Sequence, residues 1–207
     1  VLALFPAIVL CAYVYKKDKV EKEPIGLLLK LLVFGALSCV PVVVAEIIIG
    51  GALDMIFPQG PVISIAAHHF IGVALVEESF KFLVLIWLTN KNKEYNSVFD
   101  GMIYAIFVSL GFAALENVLY VFENGVTVGI MRAFMSVPGH MFFAVMMGWH
   151  YSIWNITKQA YVAEGELKQS GIISSCEERF NYKKSARLSI IIPVLAHGFY
   201  DFCCTMD

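Results

Sequence analysis

Glu77-Glu78-Ser79-Phe80-Lys81 lies in the middle of an apolar run that extends from about Pro61 to Leu88. Two adjacent carboxylates and a lysine one helical turn later are costly in such a run if it crosses a bilayer, where an unpaired ion costs several kcal/mol. Such a cluster persists only where it meets water, a metal or partners on other helices. The chain offers those partners in three further apolar runs: Glu116-Asn117, His140 and His197-x-x-x-Asp201. His197 and Asp201 are four residues apart, a spacing that brings both groups to one helix face. Two histidines with several acids are the parts of a hydrolytic zinc site. Three protein ligands hold the metal, a water takes the open position, and a nearby glutamate accepts its proton. A metal-free version uses a Glu–His pair to activate water, with the remaining His and Asn groups stabilising an oxyanion. Each residue also has a plainer reading. Lys81 can pair internally with Glu77 or Glu78. Asn117 can bond a neighbouring helix, and Asp201 can simply orient His197. His140, Ala144 and Gly148 form a stripe that reads as close packing.

The elements that carry these residues are read from composition. The chain has 207 residues, of which 59% are hydrophobic and only 15% charged. That is too apolar for a soluble domain, and no basic stripe points to nucleic acid. The reading is an all-α polytopic membrane protein, a single domain over 1–207. Six apolar runs, about 1–15, 25–50, 62–88, 98–122, 130–157 and 187–205, are long enough or nearly so to span. The first is short as given, and more helices could precede it if the start is trimmed. Helix is the expected state, since backbone groups in lipid must be satisfied locally. The five cysteines show no paired spacing and read as packing residues.

Basic residues fix the expected orientation. All but three of the 15 Lys and Arg fall in segments 16–24, 89–98 and 158–187. The positive-inside rule puts those segments in the cytoplasm and the N-terminus outside. Lys30 can snorkel to an interface, and Arg132 falls near the outer end of the fifth run. Lys81 has no such escape. The segment at about 158–186 is the one sizeable soluble piece, expected as a helix extension and a turn at Gly171. At about 1.5 Å per helical residue, Glu77, Glu116, His140, His197 and Asp201 all fall between mid-membrane and the outer leaflet. A shared site open to the external side is therefore expected. His68, His69 and His150 read as interfacial or packing residues, and Pro138-Gly139 as a loosening just before His140.

Glu77-Glu78-x-x-Lys81, Phe112-x-x-x-Glu116-Asn117, His140 and His197-x-x-x-Asp201 together resemble the PrsW family of intramembrane proteases. Tyr15-x-x-Asp18 and Glu23-Pro24 resemble that family's first cytoplasmic loop. The resemblance runs through essentially the whole chain, in order. The family is distantly similar to the type II CAAX prenyl endopeptidases, which end in His-x-x-x-Asn. Asp201 stands in the last place here and favours PrsW. The resemblance implies the first (site-1) cut in a membrane-anchored, single-pass anti-sigma factor, on its external side. That cut leads to release of an extracytoplasmic-function sigma factor. It also implies a bacterial plasma membrane.

On that reading Glu77 and Glu78 supply and hold the general base. His140 and His197 bind zinc or another divalent metal, with Glu116 and Asp201 as candidates for the third position. Lys81 keeps the paired acids ionised or stabilises developing charge. Asn117 binds the substrate backbone or the oxyanion. Two rivals use the same residues. One is a transporter or proton relay, against which no inverted repeat is visible. The other is a peptide-binding scaffold without catalysis.

Overall fold

The computed structural model describes residues 3–18, 22–57, 62–92, 95–174 and 182–206. Among these the chain is helical and contains no strand. Helix α1 is Phe5–Lys17 and α2 is Ile25–Ile56. A short α3, Val62–Ala67, passes through a π-helical stretch, His68–Ala74, into α4, Leu75–Thr89. Then follow α5 (Val98–Asn124), α6 (Val126–Phe134), α7 (Ser136–Gln169) and α8 (Tyr182–Met206). Four stretches, namely α2, α5, α6 with α7, and α8, are long and apolar enough to cross a membrane. The rod from Val62 to Thr89 is mostly apolar, with three charges and the pair His68-His69, and α1 has 13 residues. The protein is a multi-pass all-α membrane protein.

Helix α5 is the hub. Ile103, Tyr104, Ala105, Ile106, Phe107, Val108 and Leu110 are all buried, so the middle of the helix is enclosed on every side, as its run of apolar residues there requires. It starts at a capping box: Ser97 Oγ accepts from Asp100 N–H and Asp100 Oδ2 accepts from Ser97 N–H. Close approach of neighbours depends on small residues. A Cβ on Gly111 would run into the Leu32 carbonyl of α2, and one on Gly148 of α7 into the backbone of Gly101. Outward faces stay apolar, with Val33, Leu37, Val40 and Ile47 of α2, Leu83 and Trp87 of α4, and Leu195 and Phe199 of α8 all exposed. Such a continuous apolar exterior suits lipid.

One expected helix is divided. The run at about 130–157 is two elements, with a break at Met135 (φ −113°, ψ −63°). Pro138 explains it. Proline has no N–H, and its ring clashes with the carbonyl four residues earlier, here Phe134. Pro138 is tolerated in the first turn of α7 because α6 has already ended. The loosening therefore falls before Ser136 rather than beside His140. Helix α7 continues to Gln169 and is followed by Gly171 at φ +70°.

Candidate active site

Helices α4, α5, α7 and α8 bring their ionisable residues to one buried point. Glu77, Glu78, Lys81, His140 and His197 are each 4% exposed or less. Helical spacing puts Glu77 and Glu78 within reach of Lys81, which donates to Glu77 Oε2 at 2.9 Å and Glu78 Oε1 at 2.8 Å. Lys81 Nζ is also 3.0 Å from His140 Nδ1. An ammonium has donors only, so His140 Nδ1 accepts. The ring proton is then on Nε2, which donates to Glu116 Oε2 at 3.0 Å. His197 Nδ1 is 2.9 Å from Glu78 Oε1, and its Nε2 is 3.3 Å from Asp201 Oδ2. Both histidines turn Nδ1 inward to the cluster and Nε2 outward to a carboxylate. The rings of His140 and His197 lie 5.2 Å apart, and Phe143 stacks on His197 at 4.9 Å.

A cavity of about 410 Å³ reaches this point from the end of the bundle where α2, α5 and α8 finish. Glu77, His140, His197, Glu116 and Asp201 line it, but Glu78, with no exposed surface, does not. The two adjacent acids thus have different settings: Glu77 faces the cavity and Glu78 lies behind it. Asn117 is turned elsewhere. It is fully buried and donates to the Ala3 carbonyl at 2.9 Å, tying α5 to the start of α1.

Several lining residues did not stand out in the sequence. Glu46 of α2 lines the cavity, and its signal was a lone acid in an apolar run. Arg132 of α6 also lines it. Its Nη2 is 2.7 Å from Glu116 Oε2, and its guanidinium lies 3.7 Å over the Tyr120 ring. His69 belongs to the π-helical stretch and pairs with Thr205 Oγ1 at 2.9 Å. That stretch brings His69, Val73 and Glu77 into one lining, in keeping with the frequency of π-bulges at functional sites. His68 instead pairs with Asp54 at 3.3 Å.

The cluster suits a metal by donor type. One atom from each of Glu77, Glu78, His140 and His197 lies within 4.8 Å of the others. Two imidazoles and two carboxylates are ligands that zinc takes. Glu78 Oε2 is buried and has no hydrogen-bond partner among the described residues, so one oxygen remains to be satisfied.

Residues 23–206 match the family described as PrsW family intramembrane metalloprotease. The chain belongs to the PrsW family. Similar proteins named Protease PrsW bear this out. The one from Oceanobacillus iheyensis is 31% identical over 95% of this chain and 78% of its own length. That from Geobacillus kaustophilus is 32% identical over 95% and 75%. The Bacillus subtilis protein is 27% identical over 97% and 79%. No solved structure matches the chain. Membership of PrsW makes this an intramembrane protease.

Proposed function

We propose that the protein makes the first cut in a single-pass, membrane-anchored anti-sigma factor, on the external side of a bacterial plasma membrane, by metal-assisted hydrolysis. The observation that carries this reading is the convergence of Glu77, Glu78, His140 and His197, with Glu77 alone of the two acids facing the cavity. His140, His197 and Glu78 would hold a divalent metal, zinc by donor type. When bound, it would supply Lewis-acid polarisation of a carbonyl and of water. Glu77 is the base: it sits at the cavity wall, takes a proton from the attacking water and returns it to the leaving amine. Glu116 and Asp201 hold the outer nitrogens of the two histidines and so fix their rings and tautomers. The cluster itself is buried, so each of these interactions acts in a poorly solvated setting where it is stronger than in water.

Sidedness rests on charge. The cavity opens at the end of the bundle away from the segments rich in Lys and Arg, so the positive-inside rule places the opening outside. A stretch just outside a substrate's own membrane helix would then be presented to Glu77. The metal-free glutamate mechanism uses the same base and the same histidines.

The test is cleavage of an anti-sigma factor reconstituted with the protein in liposomes. Glu77→Gln should lower the rate by about 10²–10⁴-fold, the usual worth of a positioned general base. Cleavage at the wild-type rate would sink the assignment. Ion flux without any cleavage would support the transporter reading instead.

A further inference from the structure

Lys81 lies inside the donor set rather than beside it. An ammonium has three N–H donors, and all three are committed: to Glu77 Oε2 at 2.9 Å, Glu78 Oε1 at 2.8 Å and His140 Nδ1 at 3.0 Å. Three of the four residues able to hold a metal are thus already turned toward one cation. The nitrogen also lies 4.3 Å over the ring of Phe112, whose face favours positive charge. The side chain is 1% exposed, so no solvent shares the work of neutralising the two acids.

We propose that Lys81 is the resident cation of the site, and that its ammonium, seated in the Glu77–Glu78–His140 nest, and a divalent metal compete for the Glu78 and His140 donors. The inference deepens the preceding reading and rests on its metal. Two physical facts carry it. The single lone pair of His140 Nδ1 can accept an N–H or bind a metal, but not both. Two cations a few ångströms apart in a poorly solvated site also repel strongly. Metal entry therefore moves the Lys81 side chain out of the nest. Without metal, the ammonium donates to both adjacent carboxylates, where a bare buried pair would be costly. Lys81 thus supports the metal-free fold and raises the metal concentration needed to load the site.

The experiment compares wild type with Lys81→Met, which keeps the side-chain length and removes the charge. Zinc affinity is measured by titration calorimetry in detergent, and zinc content by elemental analysis. Lys81→Met should bind zinc about tenfold more tightly or better, since the competing charge is gone. Its melting temperature should drop on chelation and recover with zinc, and that of wild type should change less at the same zinc concentration. A second arm needs no variant: acetylation of wild type by acetic anhydride, read by peptide mass spectrometry. Lys81 should be protected in chelator and acetylated at saturating zinc. If Lys81→Met does not fold, this arm decides. Equal or weaker zinc binding by Lys81→Met overturns the proposal. So does a protected Lys81 in protein carrying one zinc per chain, an outcome that leaves the metal reading standing. Absence of zinc from both proteins at saturation overturns the proposal and the metal reading together.

Discussion

Each site histidine carries a carboxylate on its outer ring nitrogen, and one of those carboxylates has a keeper of its own. Glu116 Oε2 accepts from His140 and lies 2.7 Å from Arg132 Nη2. Arg132 in turn stacks on Tyr120 and is part-buried, its side chain 17% exposed. A guanidinium held close over a ring loses little further freedom when it pairs, so Arg132 pins Glu116 against the imidazole. Arg132 is a positioning residue. Arg132→Met removes the charge and most of the stacking while leaving every atom of the Glu–His cluster in place. On the proposed metal reading, cleavage in liposomes should fall, but by less than the roughly 10–100-fold usual for losing the group bonded to a ligand histidine itself, because Glu116 stays on His140. Arg132→Lys should recover part of that loss. Full activity in Arg132→Met would mean that Glu116 orients His140 unaided.

Helix packing sets how closely these residues can meet, and small residues set the packing. At Gly111 a Cβ would meet the Leu32 backbone of α2, which cannot move aside as a side chain could. Gly111→Ala should destabilise by about 1–3 kcal/mol through overpacking, seen as a lower melting temperature in detergent. Gly50→Ala is the control, because nothing lies within 4 Å of a Cβ there, and it should not destabilise. Most of this scale was legible beforehand. Apolar runs gave the helices, since lipid admits little else, and an ionisable residue stands out in such a run. Rotation about a helix axis was not legible. Spacing put Glu116 and Asp201 near the histidines, but only the folded geometry sets them on the outer nitrogens and turns Glu77 and Glu78 inward. The same blindness hid Asn117, whose side chain turns to α1. The π-helical stretch at His68–Ala74 leaves no trace in hydropathy. The separate α6 was foreshadowed only by Pro138.

Over the whole molecule the two ends of the bundle do different work. The site end holds the cavity that reaches the Glu–His cluster, and the opposite end is fastened by a belt of polar contacts between elements. Tyr151 of α7 bonds Thr89 of α4 at 2.7 Å, and Tyr95 donates to Ser152 of α7 at 2.8 Å. Asn92 donates to Tyr104 of α5, and Tyr104 donates to Glu23, just before α2. Glu23 N–H is held by Asp18 Oδ2 at 3.1 Å, so Asp18 and Glu23 both act as structural clamps. Glu23 is only 4% exposed. Burial pushes its carboxyl up from 4.5 to about 7, with Asp100 and Asp18 adding to the rise and the Tyr104 hydrogen bond opposing it. The sign of the consequence follows. Below 4.5 the carboxyl is protonated whether folded or not, and Glu23 contributes fully to stability. Between 4.5 and about 7 the folded state holds a proton that the unfolded state has lost, so stability declines as pH rises, and the contribution is gone above the folded value. The melting temperature of wild type should therefore fall between about pH 5 and about pH 8. Glu23→Gln keeps an oxygen to accept from Tyr104 and has no proton to lose, so its melting temperature should vary less over the same range. Parallel curves for the two proteins would mean that Glu23 titrates alike in both states and that the belt draws its strength from its neutral members.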